Sequence, residues 1–123
     1  MKSYELLIQR QLDAYNRKDV DAWLSTYARD ARQFILHGEC LAAGHDEMRS
    51  RIVSRFKEPD LHARLLSRTV MNNIVVDHEV ITRNFPEGKG EVEMLCIYEI
   101  ENGLIQTASF ALGEPKLFRQ GDT

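Results

Sequence analysis

At 123 residues the chain has room for one hydrophobic core and not for two. Hydrophobic residues make up 43% of it, enough to fold without disulfide or metal support, and 16 basic against 19 acidic residues give a net charge of −3, which excludes the basic footprint of a nucleic-acid binder. Its aliphatic runs, such as Ile74-Val75-Val76, are far too short for a membrane span.

Met1-Lys2-Ser3-Tyr4-Glu5 brings an acid early and no long apolar run, so no signal peptide is expected and the chain reads as cytoplasmic. Cys40 and Cys96 stand far apart, with no second pair for a zinc site or a disulfide framework. Two reduced, mostly buried thiols are expected.

Tyr4, Leu7, Ile8, Leu12 and Tyr15 recur at three- and four-residue steps, which predicts an amphipathic helix over 4–16 with Ser3 as a possible N-cap. Asn16-Arg17-Lys18 interrupts the pattern, and Asp19 can cap a second helix with Val20, Trp23, Leu24 and Tyr27 on its apolar face. Residues 33–36 read as a short strand, turned by His37-Gly38 into another at 40–43. Gly44 opens a third helix with Asp46 and Glu47 in its first turn, where acids suit the helix dipole. Met48, Ile52 and Phe56 form its buried stripe and Pro59 ends it; Arg49, Arg51 and Arg55, set among acids, read as a solvated face.

The second half changes period from 3.6 to 2. Strands are expected at 62–71, 74–84, 91–101 and 104–113, with reversals at Asn72-Asn73, Pro86-Glu87-Gly88 and Asn102-Gly103. Short turns make these strands antiparallel, and helices followed by a meander imply an α+β fold with helices on one sheet face. Residues 1–123 are expected to form one domain.

Alternation divides each strand into two faces. In the second long strand Ile74, Val76, His78, Val80 and Thr82 are less charged than Val75, Asp77, Glu79, Ile81 and Arg83, so the first set is assigned inward. Leu65, Ser67, Thr69 and Met71 are assigned inward and Arg64 and Arg68 outward; Met94, Cys96, Tyr98, Ala108, Phe110 and Leu112 also face in. The outward set keeps Leu66, Val70, Val75, Ile81, Leu95 and Ile97, too apolar for a face left in water, which predicts a homodimer through the sheet.

The run Gln11-Leu12-Asp13-Ala14-Tyr15-Asn16-Arg17-Lys18-Asp19-Val20-Asp21-Ala22-Trp23 resembles the opening of the nuclear transport factor 2-like superfamily. Tyr27-Ala28-Arg29-Asp30-Ala31, Gly44-His45-Asp46-Glu47-Met48-Arg49, Tyr98 to Ile105 and Leu112-Gly113-Glu114-Pro115-Lys116 are similar to its later segments, in the same order and over nearly the whole chain. The resemblance is to the SnoaL-like and ketosteroid-isomerase-like branch. It implies a cone-shaped α+β barrel, three N-terminal helices on a curved antiparallel sheet around an internal pocket, and the same dimer. The isomerase positions fall near Gln11, Ile35 and Cys96, where this chain has neither the tyrosine nor the two aspartates, so isomerase machinery is absent.

The expected pocket takes a small apolar or aromatic ligand, with Tyr15, Trp23, Tyr27, Ile35, Met48, Phe56, Thr69, Val76, Met94, Cys96 and Phe110 as its wall. His78, helped by Tyr98, is the candidate acid–base group, since imidazole titrates near neutral pH; a buried histidine hydrogen-bonded within the sheet is the plainer reading. Four scattered histidines make no metal site, and no phosphate loop or nucleophile elbow is present, so no cofactor is expected. Two functions stay open: a cyclase-, isomerase- or dehydratase-type enzyme working on a carbonyl or cyclic substrate, or a noncatalytic ligand-binding or accessory module.

Overall fold

The computed structural model describes residues 3–119. Met1 and Lys2 of the leader reading, and residues 120–123 of the expected domain, lie outside them. The first helix, α1, runs Ser3–Arg17 and buries Leu7, Ile8 and Leu12 of the expected stripe, together with Gln11 and Ala14, while Tyr4 and Tyr15 are half-buried. Lys18 takes a left-handed φ of 58°, and the Asp19 carboxylate accepts the Ala22 N–H at 3.0 Å to open α2, Val20–Leu24. This helix is shorter than its apolar face suggested. The Ser25 and Thr26 hydroxyls turn back onto the Ala22 and Trp23 carbonyls, each at 2.7 Å, so Tyr27 begins a strand and does not end a helix.

That strand, β1 (Tyr27–Ile35), is more than twice the length expected, because Arg29, Asp30 and Arg32 hide an alternation that buries Tyr27, Ala31 and Gln33. β2 (Cys40–Ala43) follows, then α3 (Gly44–Arg55), where the Glu47 carboxylate accepts the Ala43 N–H at 2.9 Å. Cys40 is exposed, against expectation, because it lies at the start of a short edge strand; Cys96 is buried. The meander is β3 (His62–Met71), β4 (Ile74–Phe85), β5 (Gly88–Glu101) and β6 (Leu104–Leu112), closed by a short β7 (Lys116–Leu117). Asn102-Gly103 forms its tight reversal with φ of 53° and 78°, the left-handed pair such a turn requires.

The strand order is β2-β1-β6-β5-β4-β3, with β7 on β5. The meander is antiparallel, and β1 joins it parallel to β6, which the long connection between them permits. The curved sheet stays open, and the three helices pack on its concave face around Ile8, Trp23, Leu24, Met48, Val75 and Tyr98. No described helix is long and apolar enough to cross a membrane.

Two strands turn opposite faces inward from those assigned by alternation. In β3 the pairing shifts between Leu65 and Ser67, a β-bulge that spends one extra residue. Leu65 faces in as expected, with Ala63 beside it, but beyond the bulge Arg68 and Val70 face in while Ser67, Thr69 and Met71 face out. In β4 the buried set is Val75, Asp77, Glu79 and Ile81. Ile74, Val76, His78 and Val80 lie on the convex face. The charge criterion failed here because both acids are accommodated inside.

Candidate functional site

Cross-strand pairing sets the inner face out in rungs. Asp77 lies opposite Arg68 on one side and Cys96 on the other, and Cys96 opposite Phe110. The next rung runs Leu65, Glu79, Met94, Leu112. Asp77 is fully buried and takes Arg68 in a two-point grip, Nε to Oδ1 at 2.7 Å and an Nη to Oδ2 at 2.9 Å. A second Arg68 Nη donates to Gln9 Oε1 at 2.9 Å.

Glu79 has no such partner. It is 3% exposed, and its Oε2 accepts no hydrogen bond. Burial first, then the charge of Asp77, pushes its carboxyl up to about 8, with Cys96 and Arg68 acting against the rise. Around it stand Tyr15, Tyr27, Tyr98 and the Cys96 thiol, all pushed up by burial and therefore protonated at neutral pH. Tyr98 donates to Gln11 Oε1 at 3.4 Å, and Gln33 Nε2 donates to the Tyr27 oxygen at 3.5 Å.

Beside this buried cluster lies a cavity of about 180 Å³. Trp23, Gln33 and Ile35 form part of its wall, with Met94, Phe110 and Leu112 from the meander. Met94 is the cross-strand neighbour of Glu79, so the cavity and the buried acid share a wall residue. The Trp23 indole Nε1 is buried without a hydrogen-bond partner. The remaining polar wall is cationic, made of Arg51, Arg55 and Arg83. Arg83 holds Glu58 through Nε and an Nη at 2.8 and 2.9 Å, and Arg55 Nε stands 3.4 Å from the same carboxylate. Arg51 donates to Gln33 Oε1 at 3.1 Å.

Of the residues singled out from sequence, Trp23, Ile35, Met94 and Phe110 line the cavity. Tyr15, Tyr27, Met48, Phe56 and Cys96 pack in the adjoining core, with Tyr15 and Phe56 edge to face at 5.6 Å. Tyr98 is buried in the core near Glu79. Thr69 and Val76 are on the convex face, displaced by the β3 bulge and the inverted β4. His78 is there too, half-exposed and hydrogen-bonded to Glu93, its diagonal neighbour on β5.

The sequence reading passed over Asp77, Glu79 and Arg68, and took Arg51 and Arg55 for a solvated face. Only Arg49 behaves that way, pairing with Asp21 at 2.8 Å. A signal was present: Arg51 and Arg55 stand three and seven residues after Met48, on the buried stripe itself.

The model of the SnoaL-like domain matches residues 8–108. No match was found among curated proteins. Solved structures share the fold. A cystatin-fold protein from Novosphingobium aromaticivorans is 23% identical, with a TM-score of 0.82 over 89% of this chain and 97% of its own. A nuclear transport factor 2-like protein from Burkholderia pseudomallei is 16% identical, with a TM-score of 0.80 over 92% of each chain. A protein with a ketosteroid isomerase-like fold from Catenulispora acidiphila, in complex with trimethylamine, is 11% identical, with a TM-score of 0.73 over 85% of this chain and 82% of its own. The order of helices and strands, the half-open cone and a domain match across most of its length agree: this chain belongs to the SnoaL-like family of the nuclear transport factor 2-like superfamily.

Proposed function

We propose that the chain holds a small organic molecule in the cone and exchanges a proton with it through Glu79, as an acid–base enzyme acting on a carbonyl or cyclic compound. The observation that carries this reading is the Glu79 carboxyl: buried, with one oxygen unpartnered, and raised to about 8. An acid with that pKa is present in both forms near neutral pH, the condition under which general acid–base catalysis is most effective. Tyr27, held protonated by burial and accepting a hydrogen bond from Gln33, keeps its own O–H as a donor for an oxygen that gains charge as the proton moves. His78 has no part in this reading, since it lies on the other side of the sheet.

Binding without turnover is the second reading, and one observation favours it: Glu79 stands behind the cavity wall and is not part of it. Proton exchange separates the two. Small ketones and enones are incubated with the protein in heavy water, and deuterium uptake beside the carbonyl is followed by NMR. Uptake above the buffer rate that disappears in Glu79→Gln supports the enzyme. Compounds that bind but never exchange leave a binding module.

A further inference from the structure

The cavity carries more positive charge than its own surroundings neutralise. Three guanidiniums line it, and one carboxylate, Glu58, serves two of them. Three cations against one anion leave a surplus of two charges. Arg51 has no carboxylate partner among the described residues; its hydrogen bond goes to the neutral Gln33 amide. Partial burial, then repulsion from Arg55 among other charges, lowers its pKa, yet a guanidinium stays charged at any ordinary pH. A partly desolvated cation without a counter-charge is costly, and an anion in the cavity removes that cost.

The other walls set the rest of the ligand. Trp23, Ile35, Phe110 and Met94 offer aromatic and aliphatic surface, which a bare inorganic anion leaves unused. The volume of about 180 Å³ is below the usual range of roughly 300–1,000 Å³ for drug-sized ligands, so the molecule is small. A planar guanidinium fork matches a carboxylate in two-point geometry, and Arg51 on this wall supplies one.

We propose that this cavity takes a small organic monocarboxylate, its apolar body against Trp23, Ile35 and Phe110 and its carboxylate on Arg51. The inference deepens the ligand-holding part of the reading above and is independent of proton transfer by Glu79.

The test titrates the protein with benzoate, phenylacetate and hexanoate, with the matching neutral amides, and with inorganic phosphate, followed by amide NMR and calorimetry. At least one acid is expected to perturb the Gln33 and Trp23 signals and to bind about tenfold or more tightly than its amide, the worth of a charged hydrogen bond. Arg51→Gln is expected to remove that preference and Arg51→Lys to restore part of it. The comparison of acid with amide uses the unaltered protein, so it stands even where a variant folds poorly. Amides that bind as well as the acids overturn the inference, as does the absence of acid binding at millimolar concentration. Phosphate binding that equals or exceeds that of every acid overturns it too, in favour of an inorganic anion site. His78→Gln, on the convex face, is the control: it should leave acid binding within about twofold, because it removes no group from the cavity. Acid binding without deuterium exchange defeats the enzyme reading alone; exchange on neutral ketones without acid binding defeats this one alone.

Discussion

Arg68 and Asp77 face each other across β3 and β4 and are joined by two parallel hydrogen bonds of 2.7 and 2.9 Å, with the carboxylate wholly shut off from solvent. Removing one partner of such a pair strands the other's charge, at a cost of roughly 3–5 kcal/mol. Arg68→Ala is therefore expected to be strongly destabilising in urea titrations. The double variant Arg68→Met with Asp77→Leu should recover most of the loss, because no uncompensated charge remains. A single variant that costs under about 1 kcal/mol would show that the pair is not buried as described.

Glu79 sets a pH dependence of opposite sign to that of an ordinary salt-bridged acid. Its folded pKa of about 8 lies above the usual ~4.3 of an unfolded glutamate. As pH rises between those values the unfolded chain releases the proton and the folded chain keeps it, so stability falls across this window, by up to roughly 1.4 kcal/mol per unit. The groups facing it are Asp77 on its own strand, Cys96 and Tyr98 on β5, Arg68 on β3, Tyr15 on α1 and Tyr27 on β1. Glu79→Gln keeps the shape and cannot ionise, so its melting temperature should exceed the wild type's by several degrees at pH 8 and match it near pH 4.5. Melting curves that are parallel across that range would refute the assignment.

The convex face is proposed as the contact between two copies. Leu66, Val76, Leu95 and Ile97 lie on it, with the His78–Glu93 pair beside them. Of the outward residues expected from sequence, Val70, Val75 and Ile81 point inward, while Ile74, Val76 and Val80 take their place. Light scattering should return twice the 14.2 kDa chain mass, from an interface of about 800 Å² or more per partner, and Leu95→Glu should halve it. A wild-type particle of single-chain mass at micromolar concentration rules the dimer out.

Ketosteroid isomerase activity should be negligible. By the resemblance the base would fall at Ile35, a hydrocarbon on the cavity wall, and the oxyanion donor at Cys96, a buried thiol. The loss of a general base alone is typically worth ~10²–10⁴-fold. Isomerisation of a Δ5-3-ketosteroid at isomerase-like rates would mean that another group, with Glu79 the first to test, does the work of the base.

Local rules carried the fold and failed at the site, for the same physical reason. α1, the Asp19 cap, the Asn102-Gly103 turn and the alternation of β5 each depend on residues a few positions apart, and each is where the sequence puts it. The facing of β4 depends on what lies across the sheet. Both of its faces carry three or more apolar residues, so the choice rested on Asp77 and Glu79 being solvated. One is neutralised by Arg68 and the other is raised until it holds its proton. Arg68 in turn points inward through a bulge that no local pattern announces. The cationic cavity was nearer to legible, since helical spacing alone placed Arg51 and Arg55 on the stripe of Met48 and Ile52.

The parallel pairing of β1 with β6 also has a kinetic meaning. Ile35 lies opposite Phe110, 110 − 35 = 75 positions further on, whereas the hairpins of the meander close through turns of a few residues. Closing so long a loop costs more entropy, so the meander is expected to form first and β1 to dock on it last. Pulse-labelled hydrogen exchange should find β5 and β6 amides protected before those of Arg32 to Ile35; simultaneous protection would contradict that sequence. Gln33 and Ile35 arrive with β1, and both belong to the cavity wall. The cavity is thus completed by the step that finishes the fold, and any molecule held there draws the final docking equilibrium toward the closed chain.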